Sequence, residues 1–190
     1  QNKFEYSKLH GYAFLLANLV QLANKEIVPY DLIMKVTVFS TKFIKNHTTS
    51  TSGDIYFKGL ICWILMTGLM NYNDESYLRM QTPQLFLFWK VLLTHSFTYR
   101  SEEELKRNLE IRTHSLTCLL TYLNNIPIDK ETAKQISYLL TKCSNFNHSV
   151  TLKSKDIDNI LLTNENRILQ VYIKIQDYIR TDFNSSLLLL

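Results

Sequence analysis

Apolar positions recur at helical spacing along almost the whole chain. Leu9, Ala13, Leu16, Val20 and Ala23 share one face of a helix predicted from about Tyr6 to Asn24. Pro29 stops it, and Asp31 is expected to cap a second helix to about Asn46, with Leu32, Val36, Phe39 and Phe43 turned inward. Residues 48–53 read as a solvated loop, and Asp54 as the cap of a third helix ending near Tyr72. From Gly59 to Met70 that helix is apolar except at Thr67. A bilayer span needs about 18 such residues, so the pattern predicts a helix buried on nearly all sides.

A polar turn, Asn73 to Ser76, leads into a short bridging segment. Thr82-Pro83 is expected to open the fourth helix, with the hydroxyl at the cap and proline at the first position, continuing to about Phe97. Ser101-Glu102-Glu103-Glu104 is a capping-box sequence for the fifth helix. Its inward stripe is Leu105, Leu109, the stem of Arg112, Leu116, Leu119 and Leu123. Residues 124–127 close it, and Asp129 caps a sixth helix to about Cys143. Residues 144–163 carry no clear period and read as a loop with a short turn at Ile157 to Leu161. The seventh helix, about Glu165 to Thr181, has Ile168, Val171, Tyr172, Ile175, Tyr178 and Ile179 on one face.

Taken in pairs, the helices fall into units at about 6–47, 54–97, 101–143 and 153–181. A period in the forties with two antiparallel helices predicts an all-α α-solenoid of HEAT/armadillo-like helix pairs, about seven helices in four units. The whole of 1–190 then forms a single stretch of repeats. The four leucines from Leu187 to Leu190 and the absence of an initiator Met suggest a fragment of a longer solenoid. Composition narrows the class in the same direction. The chain of 190 residues has 4 Gly and 3 Pro, where average usage gives about 13 and 9 or 10. Sandwiches, barrels and glycine-rich phosphate loops depend on those turn residues.

The net charge of +4 is spread along the chain, +3 over residues 1–95 and +1 over 96–190. Nucleic-acid binders concentrate positive charge in a stripe, so no nucleic-acid partner is expected. Cys62, Cys118 and Cys143 sit among helix-patterned apolar residues and read as reduced thiols of a cytosolic protein. No phosphate loop, Cys-x-x-Cys, His-Glu-x-x-His or Gly-x-Ser-x-Gly sequence occurs. His114 and Cys118, at i and i+4, make only half a zinc site, and packing is the favoured reading. Cys143 with His148 lacks an orienting third group for a catalytic dyad. Glu102 to Glu104 fit the preference of a helix start for negative charge. Trp63 and Trp89 read as core. Lys42, Lys45, Lys134, Lys142, Lys153 and Lys155 read as a scattered solvated face. No catalytic, cofactor-binding or metal residue, and no cofactor, is assigned.

Several local patterns resemble one family. Leu9-His10-Gly11-Tyr12-Ala13-Phe14 is similar to the Gly-Tyr-Ala opening of a helical unit in the large clathrin-adaptor (AP-1) accessory proteins, called HEAT-repeat-containing protein five in animals. The stretch from Gly59 to Thr67, followed by Pro83 to Lys90, resembles that family's Gly…Leu-Met-Thr helix and its Leu-Trp-Arg/Lys partner. Leu109-Glu110-Ile111-Arg112 is similar to its Glu-x-Arg helix, and Asn184 to Leu188 to a Ser-Leu-Leu stretch. Thr82 stands where the family tends to have Leu. Order and spacing agree over most of the chain, which resembles an internal segment of a fungal-like member.

The resemblance implies a non-enzymatic scaffold. It would bind the AP-1 clathrin adaptor and small accessory proteins, and help localise them in traffic between trans-Golgi network and endosomes. It would be cytoplasmic, peripheral at the trans-Golgi network, endosomes and clathrin-coated vesicles through those partners, with room for a homo-oligomer. No binding residue is carried over. The alternative is a helical-repeat carrier or scaffold in nuclear transport or ribosome-associated work, which would need an acidic groove or basic stripe. An all-α enzyme would need convergent polar groups in a pocket.

Overall fold

The computed structural model describes the backbone of residues 2–22, 28–47, 53–72 and 74–187. Seven helices occupy them: α1 (Asn2–Leu22), α2 (Tyr30–His47), α3 (Gly53–Met70), α4 (Glu75–Thr94), α5 (Glu102–Asn125), α6 (Lys130–Ser149) and α7 (Lys155–Leu187). Ala23, Asn24, residues 48–52, Asn73 and residues 188–190 lie outside the described residues, as do the side chains of Val20, Asp54 and Leu187.

The odd helices pack in sequence, α1 on α3, α3 on α5 and α5 on α7. The even helices form a second layer, with α4 on α6, and each packs across onto the odd helix that follows it. This alternation is the two-layer order of an all-α helical-repeat solenoid. The described helices start at 2, 53, 102 and 155 in the odd layer, close to the spacing read from the sequence.

Its centre is α3. Trp63, Met66, Leu69 and Met70 are wholly buried, and Trp63 stacks on Trp89 of α4 at 6.3 Å and 24°. Burying an indole stabilises by about 4–6 kcal/mol, from ~150–250 Å² at ~25 cal/mol/Å². Trp89 Nε1 donates to the Ser115 carbonyl at 3.0 Å, so its polar edge is also satisfied. A smaller cluster of Leu105, Leu109, Val150 and Ile157 closes the α5–α7 end.

The α5 stripe is buried as predicted, and Arg112 goes further than its stem: the whole side chain is sealed. Its Nη2 donates to the His95 carbonyl at 2.6 Å, and its guanidinium lies 4.3 Å from the Phe146 ring centre. Of the predicted caps, Ser101 and Asp129 are present, whereas Asp31 is the second residue of α2 and lies inside its first turn. Ser101 accepts from Glu104 N and Asp129 from Thr132 N at 2.7 Å. Glu104 reaches back one residue further than a capping box requires, to Arg100 N.

Five further expectations need correction. In α1 the buried pair is Ala13 and Ala17, while Leu9 and Leu16 are exposed. In α2 the buried face is rotated by one position: Ile33, Thr37, Ser40, Thr41 and Ile44 face the core, and Leu32 and Phe39 face out. The hydroxyls make this possible. Thr37 donates to the Ile33 carbonyl and Thr41 to the Thr37 carbonyl, so these two hydroxyls are buried without being orphaned. Thr82-Pro83 does not open α4. Asp74 caps it, accepting from Tyr77 N, and Pro83 lies inside. Pro83 and Arg79 are both exposed, so the carbonyl that loses its donor faces water. Residues 144–163 are not a loop: α6 runs to Ser149, an extended link covers 150–154, and α7 begins at Lys155. Gly53 and Asp54, read as loop and cap, are the first residues of α3.

Candidate interaction surface

The residues singled out for chemistry are placed apart or buried. Cys118 is sealed in the core, where burial pushes its thiol up to about 12, as it does that of Cys62. His114 keeps its ring neutral, because burial, His10 and Arg167 lower its pKa to about 4. Among the described residues no group of three or more His, Cys, Asp or Glu side chains could hold a metal. The three cysteines are buried and unbridged.

Cys143 and His148 do not meet. Cys143 lies against Arg112 and bonds Asn164 Oδ1 at 3.8 Å; burial raises its thiol pKa and Arg112 opposes the rise. His148 is exposed, with Nδ1 near the Ser144 carbonyl at 2.8 Å. Ser144 Oγ is 3.2 Å from both Glu165 carboxylate oxygens and 3.4 Å from His148 Nδ1. In a nucleophilic triad the base stands between hydroxyl and carboxylate; here the serine does.

Behind it runs an amide network that sequence reasoning missed. Asn147 Nδ2 donates to Asn164 Oδ1 at 2.8 Å and to Glu165 Oε1 at 2.7 Å. Asn164 Nδ2 donates to Thr113 Oγ1 at 2.9 Å. With Arg112 beside it, this network joins α5, α6 and α7, and its partners are other side chains of the fold. Glu103 pairs with Arg107 and Glu102 accepts from Ser154 Oγ at 2.6 Å, so the acidic run serves the start of α5. Lys42, Lys45, Lys134, Lys142, Lys153 and Lys155 are all exposed.

The surface offers grooves instead. One, about 620 Å³, lies between α4 and α6, with Phe86, Leu87, Tyr138 and Leu139 along it and Lys90, Glu131 and Lys134 at its edges. Leu87 and Tyr138 are more than half exposed. A second, about 370 Å³, crosses the odd helices and is lined by Asn18, Asn71, Thr67, Thr117, His114 and Arg167 among others. A third, about 340 Å³, lies between α5 and α7 and holds Lys106, Glu110 and Asp156. The α4–α6 groove, apolar along its floor with charged groups at its edges, has the make-up of a site for a protein segment. Among the described residues no helix is long and apolar enough to cross a membrane.

No protein-family model matches the chain, and no solved structure does. The chain is 69% identical over 188 residues to a Saccharomyces cerevisiae protein named AP-1 accessory protein LAA1. That alignment covers 99% of the chain and 9% of the relative, so the chain spans about a tenth of that protein's length. With such identity held across nearly all of its residues, the chain belongs to the AP-1 accessory protein family.

Proposed function

We propose that this chain is part of a non-enzymatic scaffold that binds the AP-1 clathrin adaptor and its accessory proteins and helps localise them in trans-Golgi and endosomal traffic. The observation that carries the reading is the 69% identity, over 99% of the chain, to a protein named as an AP-1 accessory protein. The surface supports it: grooves between exposed helices give a long array many modest contacts, which sum by avidity. Residues 1–190 are read as one stretch of helix-pair units, near 6–47, 54–97, 101–143 and 153–181, supported by the alternation of odd and even layers. Peripheral membrane association would come through the partners. Removing the intact protein from cells and imaging the adaptor tests the reading. The adaptor should leave its membrane puncta; an unchanged distribution would overturn it.

A further inference from the structure

Three asparagines stand near the ends of successive odd helices: Asn18 one turn before the end of α1, Asn71 just past α3 and Asn125 at the end of α5. Asn18 Nδ2 donates to the Phe14 carbonyl at 2.9 Å, Asn71 Nδ2 to the Thr67 carbonyl at 3.5 Å and Asn125 Nδ2 to the Thr121 carbonyl at 2.9 Å. Each bond reaches back four residues along the chain and holds the amide in a set orientation. Asn125 Nδ2 also donates to Asn71 Oδ1 at 3.3 Å, across a separation of 54 residues. Asn71 and Asn125 are thus bonded to each other, and Asn18 shares a groove with Asn71, so the asparagine ladder places one amide in each successive repeat. Packing does not require them, since Asn18 and Asn125 are exposed.

A primary amide carries two N–H donors and a carbonyl oxygen. After the bonds above, Asn18 keeps one N–H and its Oδ1, and Asn125 keeps its Oδ1, unused among the described residues. One donor beside one acceptor is the complement of a peptide group. Asn18 and Asn71 line the groove of about 370 Å³ across the odd helices, and Arg167 lines it too. Arg167 Nη1 bonds the Gln170 amide at 2.8 Å, while its Nε is sealed from solvent without a partner. No carboxylate lines this groove, and Glu110, one helical turn before His114, is engaged by the Tyr56 hydroxyl. The groove is thus amide-lined and cationic.

We propose that the Asn18–Asn71–Asn125 ladder and Arg167 form a docking site for an extended acidic segment of a partner protein, whose main chain bonds the amides and whose carboxylate faces Arg167. This deepens, and rests on, the reading of the chain as a binding scaffold. Main-chain recognition gives affinity with little demand on side-chain identity, and the guanidinium selects for an acidic residue at one point.

The test pans the intact protein against a displayed library of disordered peptides of varied acidity, then measures the enriched peptides by fluorescence anisotropy. Acidic sequences should be enriched. Arg167→Glu, and the pair Asn18→Ala with Asn125→Ala, should each weaken the enriched peptides about tenfold. Replacing one backbone amide of the peptide by an ester should weaken it several-fold, whereas Lys134→Glu in the α4–α6 groove should leave it unchanged. Circular dichroism confirms that each variant is folded. Enrichment without acidic bias, or affinity indifferent to either the asparagine or the arginine variants, would overturn the proposal. Adaptor co-purification with the same proteins separates the two readings. An adaptor retained without peptide binding sinks this inference alone, and peptide binding without the adaptor sinks the AP-1 reading alone.

Discussion

Gly68 of α3 sits against Ala17 of α1, and its replacement separates packing from propensity. A Cβ at Gly68 would stand 2.7 Å from both Cα and the carbonyl oxygen of Ala17, and 2.9 Å from its Cβ. Two of those atoms are backbone, so relief requires α1 to move away from α3. Gly68→Ala gains about 1 kcal/mol of helix propensity and loses about 1–3 kcal/mol or more to overpacking. The backbone contact places it at the upper end, for a net loss of about 1–2 kcal/mol. Gly11 in α1 is the control: nothing lies within 4 Å of its added Cβ. Gly11→Ala should therefore stabilise by about 0.5–1 kcal/mol. Urea unfolding followed by circular dichroism reads both, and the two midpoints should move in opposite directions. A stabilised Gly68→Ala would refute the close α1–α3 approach and with it the packing of the odd layer.

Other consequences follow from single groups. His114 takes up a proton near pH 6.5 when unfolded and only near 4 in the fold, so stability should rise with pH between those values, by up to about 3 kcal/mol. His114→Gln should flatten that slope in urea titrations at successive pH values, and an unaltered slope would contradict the assignment. Ser101→Ala should lower the urea midpoint by an amount worth about 1 kcal/mol, because Glu104 N loses its acceptor. Phe146→Leu should destabilise by about 1–2 kcal/mol by removing the ring that faces the buried Arg112; in the Arg112→Met background the same change should have a smaller effect, which a double-mutant cycle reads.

How far the fold was legible depended on what filled the seam. In α5 the inward positions are Leu105, Leu109, Leu116, Leu119 and Leu123, so apolar periodicity and burial coincide. In α2 they do not, because Thr37 and Thr41 satisfy their own hydroxyls on the helix and take the core positions. Residues 144–163 looked aperiodic for a related reason: Asn147 and Asn164 supply the buried contacts there, and amides carry no hydrophobic signal. Pro83 misled because proline at a helix start and proline on an exposed mid-helix face look alike in one dimension. The asparagine ladder left no motif of its own; only folding brings Asn71 and Asn125 together. The adaptor reading came from collinear resemblance, since scaffold surfaces need no special residue types.

The most direct test of the central claim places a photo-cross-linking residue at Leu87 in the α4–α6 groove and at Asn18 on the odd face of the intact protein. After irradiation in cells, the purified cross-links are identified by mass spectrometry. The scaffold account predicts that at least one position captures the AP-1 adaptor or a protein that co-purifies with it. An adaptor that co-purifies with the intact protein but cross-links at neither position would contradict the claim that these grooves are its binding surface.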